Sequence, residues 1–299
     1  MNTGLGRILV TLMVLLLALP SGPAFAQGTS VEDRQARARR LMATPNPLAP
    51  SDSVWIDELT YMEVRDRIAD GATTAIIPTG GVEENGPYLA TGKHNYILEA
   101  ICPVLARDLG NALCAPIVPF VPEGTLDPPP GSIFFPGTIS VRDETFVALL
   151  EDIATSLKLH GFTNVVLIGD SGGNQRGLQA AAEKLNARWS GDSARAHFIE
   201  EFYTTGWTET MRYTEEVLGV AETANDGHHD DMWVTAIMMV ADPDAVRHTE
   251  RVDADLASIN GFDISDLEKT VEVGRKMVVF RAGLTADVIR RSISQHASP

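Results

Sequence analysis

The sequence predicts an α/β fold, a largely parallel sheet covered by helices on both faces, and three observations predict it. Short, β-rich apolar runs recur along the chain, and helical patterns with apolar residues at turn spacing lie between them. The polar segments that packing does not require follow directly after the apolar runs, where open α/β sheets place their ligands. There is no internal repeat, low-complexity tract or interdomain linker, and a hydrophobic fraction of 44% suits a packed core.

Taken in order, residues 1–26 read as a secretory signal peptide: Arg7 precedes an apolar run from Ile8 to Leu19 and a small-residue end, Ala24-Phe25-Ala26. The run is short of the roughly 20 residues that cross a bilayer, so the expectation is an exported, periplasmic or secreted protein without a membrane anchor. Residues 27–50, rich in Arg, Ala, Pro and Asn, read as an N-terminal arm with one short helical turn, and residues 51–299 as one domain. Four buried strands are predicted, at Ala75-Ile76-Ile77-Pro78, Ala115-Pro116-Ile117-Val118, Val165-Val166-Leu167-Ile168 and Phe198-Ile199.

Helices are predicted near 57–70, 95–109, 174–189 and 231–241. A further one carries Phe146, Leu149, Leu150, Ile153 and Leu157, opened by Ser140 with Asp143 as a capping box. Leu126 to Gly131 is a Pro-rich loop expected to shape the rim of a site. Cys102 and Cys114 suit either a disulfide, which export permits, or two buried thiols.

Cutting after Ala26 removes one charged residue, Arg7, and leaves 23 Lys+Arg against 40 Asp+Glu, a net charge of −17. Such a surface excludes nucleic acid and anionic membrane as partners and leaves a small-molecule substrate. The acidity itself carries no specificity, because a solvated acidic surface also keeps a protein soluble.

Three polar segments carry the chemistry. The first is Pro78 to Pro87 with Gly92-Lys93-His94-Asn95, the second Gly169-Asp170-Ser171-Gly172-Gly173-Asn174, and the third Asp226-Gly227-His228-His229-Asp230-Asp231. Singly, each reads as a helix cap or a solvated helix start. Jointly, carboxylates and imidazoles from three strand ends are what an α/β sheet uses to hold a divalent metal, which would polarise a carbonyl and activate water. Adjacent histidines do not aim at one point, so one of His228 and His229 is expected to face the site. Gly172, Gly173 and Asn174 would offer backbone amides at a helix start to an anionic intermediate.

The order and wording of these segments resemble the creatininase family, which reads roughly P-x-G-S-x-E-Q-H-G-P-H-L-P, F-P-G-T-I-S, N-G-H-G-G-N and H-A-G-x-x-E-T-S. The counterparts here are Pro78 to Ala90, Phe135 to Ser140, Gly169 to Asn174 and, blurred, His228 with Trp233-Val234-Thr235, within about residues 52–250. The resemblance implies a three-layer αβα sandwich, homo-oligomeric, that hydrolyses a cyclic or linear amide C–N bond, or a related lactone, with metal assistance. It matches Glu83 to the family's first glutamate ligand and His228 to its catalytic histidine. The departures are Asn85 and Ser171 where histidine ligands are usual, His94 where a bridging aspartate is usual, and Gly173 where creatininase has a glutamate.

His94 and Asp170 look like an exchange that preserves a mixed nitrogen and oxygen donor set. The expected site therefore has Glu83, His94, Asp170 and His229 as ligands of one zinc or manganese ion, with His228, Asp230 and Asn174 as catalytic residues. Two rivals stand beside it. Gly169 to Gly173 also fits the G-x-S-x-G elbow of a serine esterase using Ser171 and His228. A family member that has lost ligands can also serve as a non-catalytic periplasmic binding protein.

Overall fold

The computed structural model describes residues 30–129 and 131–296, which fall into one unit up to Pro45 and another from Asn46. In the first unit Ser30 Oγ accepts from the Asp33 amide and the Asp33 carboxylate accepts from the Ser30 amide, a reciprocal box that starts α1 (Val31–Met42). The arm thus holds a helix of 12 residues, longer than the single turn expected. The signal peptide read over residues 1–26 lies outside the described residues.

The second unit runs α2 (Tyr61–Ala69), β1 (Thr74–Thr79), α3 (Lys93–Leu109), β2 (Ala112–Cys114), α4 (Asp143–His160), β3 (Asn164–Gly169), α5 (Asn174–Arg188), β4 (Arg195–Phe198), α6 (Thr204–Glu216), α7 (Met232–Ala241), α8 (His248–Asp253), β5 (Ser258–Ile259), β6 (Phe262–Asp263) and α9 (Leu267–His296). Four strands form a parallel sheet in the order β2-β1-β3-β4, and β5 pairs antiparallel with β6 apart from it. Every residue of β1 and five of six in β3 are buried, which is why both read as continuous apolar runs. Helices α3, α7 and α9 pack together, as do α4 and α5, giving the α/β architecture with helices on both sides of the sheet. The α4–α5 approach is close because residue 177 is glycine: a Cβ there would lie 2.5 Å from the Phe146 ring.

The chain leaves β1 toward β2 on one side and later returns to β3 on the other, so the order reverses between β1 and β3. Thr79 and Gly169 are in register, and the Asp170 amide donates to the Thr79 carbonyl at 3.0 Å. The loops after these two strands therefore open side by side at the switch point, the crevice where such sheets bind ligands.

Three sequence expectations are corrected. The second strand is Ala112–Cys114, and the predicted 115–118 run meets β1 through an Ala115 amide bond to the Ile76 carbonyl at 2.8 Å and an isolated Thr79–Val118 bridge, not as a continuous strand. Pro116 has no N–H to give a ladder there. Ser140 does not cap α4, whose N-cap is Arg142 without a side-chain bond. Its hydroxyl instead accepts from the Glu123 amide at 3.0 Å and donates to the Gly124 carbonyl at 2.7 Å, so it fixes the backbone around Glu123. Of the two alternatives for the cysteines, the structure has two free buried thiols, with Cys114 Sγ donating to the Cys102 carbonyl.

Candidate active site at the carboxyl ends of the central strands

The loop after β1 is tied down residue by residue. Asn174, at the start of α5, donates its side-chain amide to Thr79 O, Thr79 Oγ1 and Gly80 O at 2.9–3.0 Å, clamping the end of β1 to the segment after β3. Asn95 closes a two-way bond with the Gly81 backbone, and Asn85 donates to the Glu83 carbonyl at 2.8 Å while the Glu83 amide bonds to Thr91. These bonds aim the Glu83 carboxylate at the first turn of α3, which carries Lys93 and His94.

A chain of ionisable groups runs through the crevice. Arg281, from α9, donates to Asp170 Oδ1 at 2.8 Å and to the Phe202 carbonyl at 2.9 Å, with its guanidinium stacked 4.2 Å over the Phe202 ring. Asp170 Oδ2 meets His94 Nδ1 at 2.7 Å, and His94 Nε2 meets Glu83 Oε1 at 2.7 Å. Glu83 Oε1 also faces His229 Nδ1 at 3.4 Å and Lys93 Nζ at 4.0 Å. Lys93, Asp170 and Arg281 are wholly buried.

Burial opposes charge on each of these groups, and their mutual contacts decide the outcome. For Asp170, burial pushes the carboxyl up, but the charge of Arg281 and the bond to His94 outweigh it and hold it below its ordinary range. Glu83 is likewise pushed up by burial and brought down further by the bond and charge of His94 and by Lys93. Burial presses His94 down, yet its bonds to Asp170 and Glu83 raise it, which favours an imidazolium between two carboxylates. Burial lowers Lys93 and Arg281 despite their anionic neighbours.

Beside this chain lies Glu123, which sequence reasoning missed. Its Oε2 accepts from Ser171 Oγ at 3.0 Å, and its buried Oε1 has no hydrogen-bond partner. Burial and then the charge of Glu83 push its pKa up to about 7. Two glycines make room for it: a Cβ on Gly81 would sit 1.9 Å from Glu123 Oε1, and one on Gly173 would sit 1.8 Å from the Pro122 carbonyl oxygen. A side chain at position 173, where the family resemblance implies a glutamate, therefore has no space here, and the Glu123 carboxylate enters the crevice from another segment. Glu83, His94, Glu123, Ser171, Gly172, Tyr203, Trp207 and His229 line a cavity of about 280 Å³.

Of the residues predicted from sequence, Glu83, His94, Asp170 and His229 are brought together, although Asp170 sits behind His94 rather than on the cavity wall. Among the described residues His229, rather than His228, lines the cavity. His228 is exposed and Asp230 buried, both against Gly86. Asn174 is the clamp beneath the site. Ser171 shares its proton with a carboxylate, whereas an esterase elbow needs an imidazole at that place.

The expected zinc or manganese ion does not match this donor set. Both nitrogens of His94 are engaged by carboxylates, Asp170 is neutralised by Arg281, and Lys93 adds a second buried cation. Among the described residues no group of three His, Cys, Asp or Glu side chains is arranged to hold a metal.

Comparison with known proteins places these features in a family. The creatininase family model, described as creatinine amidohydrolase, matches residues 57–283. A creatinine amidohydrolase from Pseudomonas putida is 26% identical over 223 residues, 72% of this chain and 82% of that protein. A mutant creatininase superposes with a TM-score of 0.60 at 22% identity, covering 81% of this chain and 99% of that one. A creatininase in a manganese form gives a TM-score of 0.56, also at 22% identity, over 81% and 99%. At this identity the superpositions establish the shared fold.

Proposed function

The chain belongs to the creatininase family, and from that premise we propose that it is a hydrolase that cleaves the C–N bond of a small cyclic or linear amide, with Glu123 as its acid–base residue. The observation that carries this reading is a half-buried carboxyl, one oxygen on Ser171 and the other without a partner, inside the cavity walled by Glu83 and His94. A carboxyl whose pKa is about 7 populates both protonation states near neutrality. It can take a proton from attacking water and return it to the leaving nitrogen.

The remaining residues support that step. The Asp170–His94–Glu83 chain fixes a cationic imidazole at the cavity wall, where its charge, with both N–H groups already engaged, can act on negative charge developing on a bound amide. Gly172 and Gly173 line the cavity at the start of α5, where the helix end also favours an oxyanion. Trp207 and Tyr203 supply the apolar part of the wall. A cavity of about 280 Å³ suits a compact substrate of a few ring atoms rather than a polymer.

The 3.0 Å Ser171–Glu123 bond favours one further reading, in which Ser171 attacks the carbonyl and Glu123 is its base. Hydrolysis of a panel of small amides, lactams and lactones tests both. Glu123→Gln is expected to lose turnover at least about a hundredfold if acid–base transfer is its role. A variant that keeps wild-type rates across the panel refutes the assignment. Stoichiometric labelling by a serine-reactive phosphonate selects the Ser171 route, and an unlabelled, active enzyme selects water.

A further inference from the structure

A solved creatininase of this fold is a manganese form. We infer that this chain instead neutralises its carboxylates with two buried side-chain cations, Lys93 and Arg281, and that it folds and holds this site together without a divalent ion. The inference rests on reading the cavity beside Glu123 as the reactive site.

Four independent features of the chain lead there. Arg281 comes from α9, near the end of the matched span and outside the four motif segments, and donates straight into Asp170 at 2.8 Å with both side chains wholly buried. Lys93 points its ammonium between the His229 carbonyl at 3.3 Å and the Glu83 carboxylate at 4.0 Å, again wholly buried. A divalent ion bound to Glu83 would sit against that ammonium. His94 has both ring nitrogens at 2.7 Å from carboxylate oxygens, so neither is turned to the cavity as a ligand.

The fourth feature is steric. The backbone after β3 approaches the Pro122 carbonyl so closely that residue 173 accepts no side chain, so this turn can supply no ligand from that position. Losing ligands alone would leave a cluster of unpaired acids, a costly arrangement in a buried crevice. Here the acids that remain are met by cations of the chain itself. The charge balance of a metal site is kept while the coordination positions are gone.

The test uses the full chain, purified without chelator. Elemental analysis after dialysis is expected to find far less than one equivalent of manganese, zinc or iron, and the melting temperature is expected to be unchanged by EDTA or by added Mn²⁺ or Zn²⁺. Retention of about one metal per chain, or a saturable rise in melting temperature of several degrees with either ion, overturns the inference. In Lys93→Met the carboxylates lose one counter-charge, so its melting temperature is expected to fall below that of the wild type with or without Mn²⁺; a folded variant as stable as the wild type, or one restored by the ion, also overturns it. If Lys93→Met does not fold, the wild-type arm decides. These readouts need no substrate: inactive, metal-free protein sinks the hydrolase reading and sustains this one, and active protein holding an equivalent of zinc does the reverse.

Discussion

Replacing Glu123 by Gln should stabilise the protein at alkaline pH while removing its activity. The folded protein holds this carboxyl at about 7 against an ordinary value of 4.5, so the native state binds a proton more tightly than the unfolded chain does. Between those two values stability falls as pH rises, because the folded protein must ionise a group that burial and Glu83 keep neutral. The span corresponds to about 3 kcal/mol, and since the carboxyl lines an open cavity, solvent screening reduces this to roughly 2 kcal/mol. Glutamine carries no charge at any pH and escapes the loss. Urea unfolding of both proteins at about pH 4 and about pH 8 measures the difference directly, and the other titrating groups largely cancel in the comparison. The variant should gain roughly 2 kcal/mol on the wild type between the two conditions. A gap that stays constant with pH would mean that Glu123 ionises as easily folded as unfolded, and the acid–base role would go with it.

Arg281→Met should cost about 3–5 kcal/mol in urea unfolding, because Asp170 is left charged and unpaired in the interior. Adding Asp170→Asn to that variant should recover a large part of the loss, and a double variant that sums the two single losses would show that the pair is not coupled. Gly173→Ala should destabilise by roughly 1–3 kcal/mol and lower turnover, since its Cβ meets the Pro122 carbonyl and must displace the segment carrying Glu123. A fully stable and active Gly173→Ala protein would contradict the close packing on which the entry of Glu123 depends.

Much of the scaffold is legible in the amino-acid sequence, because β1 and β3 are buried on both faces and so consist of unbroken apolar runs. Glu83 and Asp170 are legible for the same reason: each follows such a run, where the sheet opens. What escapes is whatever depends on residues distant in the chain. Arg281 lies 111 positions from Asp170, on the buried side of a helix with no motif to mark it. Glu123 is one of two acids in a Pro- and Gly-containing loop, and its significance comes from Gly81 and Gly173, which look like ordinary turn residues until their neighbours are in place. Ser140 has the spacing of a helix cap, yet the competing bonds around Glu123 claim its hydroxyl. His228 matches the family motif and His229 lines the cavity, a choice between neighbours that only the path of the loop makes.

The proposed acid–base chemistry turns on the ionisation of one side chain. The carboxyl carbon resonance of Glu123, assigned by its absence from Glu123→Gln and followed by NMR across a pH titration, is predicted to move with a midpoint near 7. A midpoint near the ordinary 4.5 would contradict the acid–base role and the crowding of carboxylates that produces it.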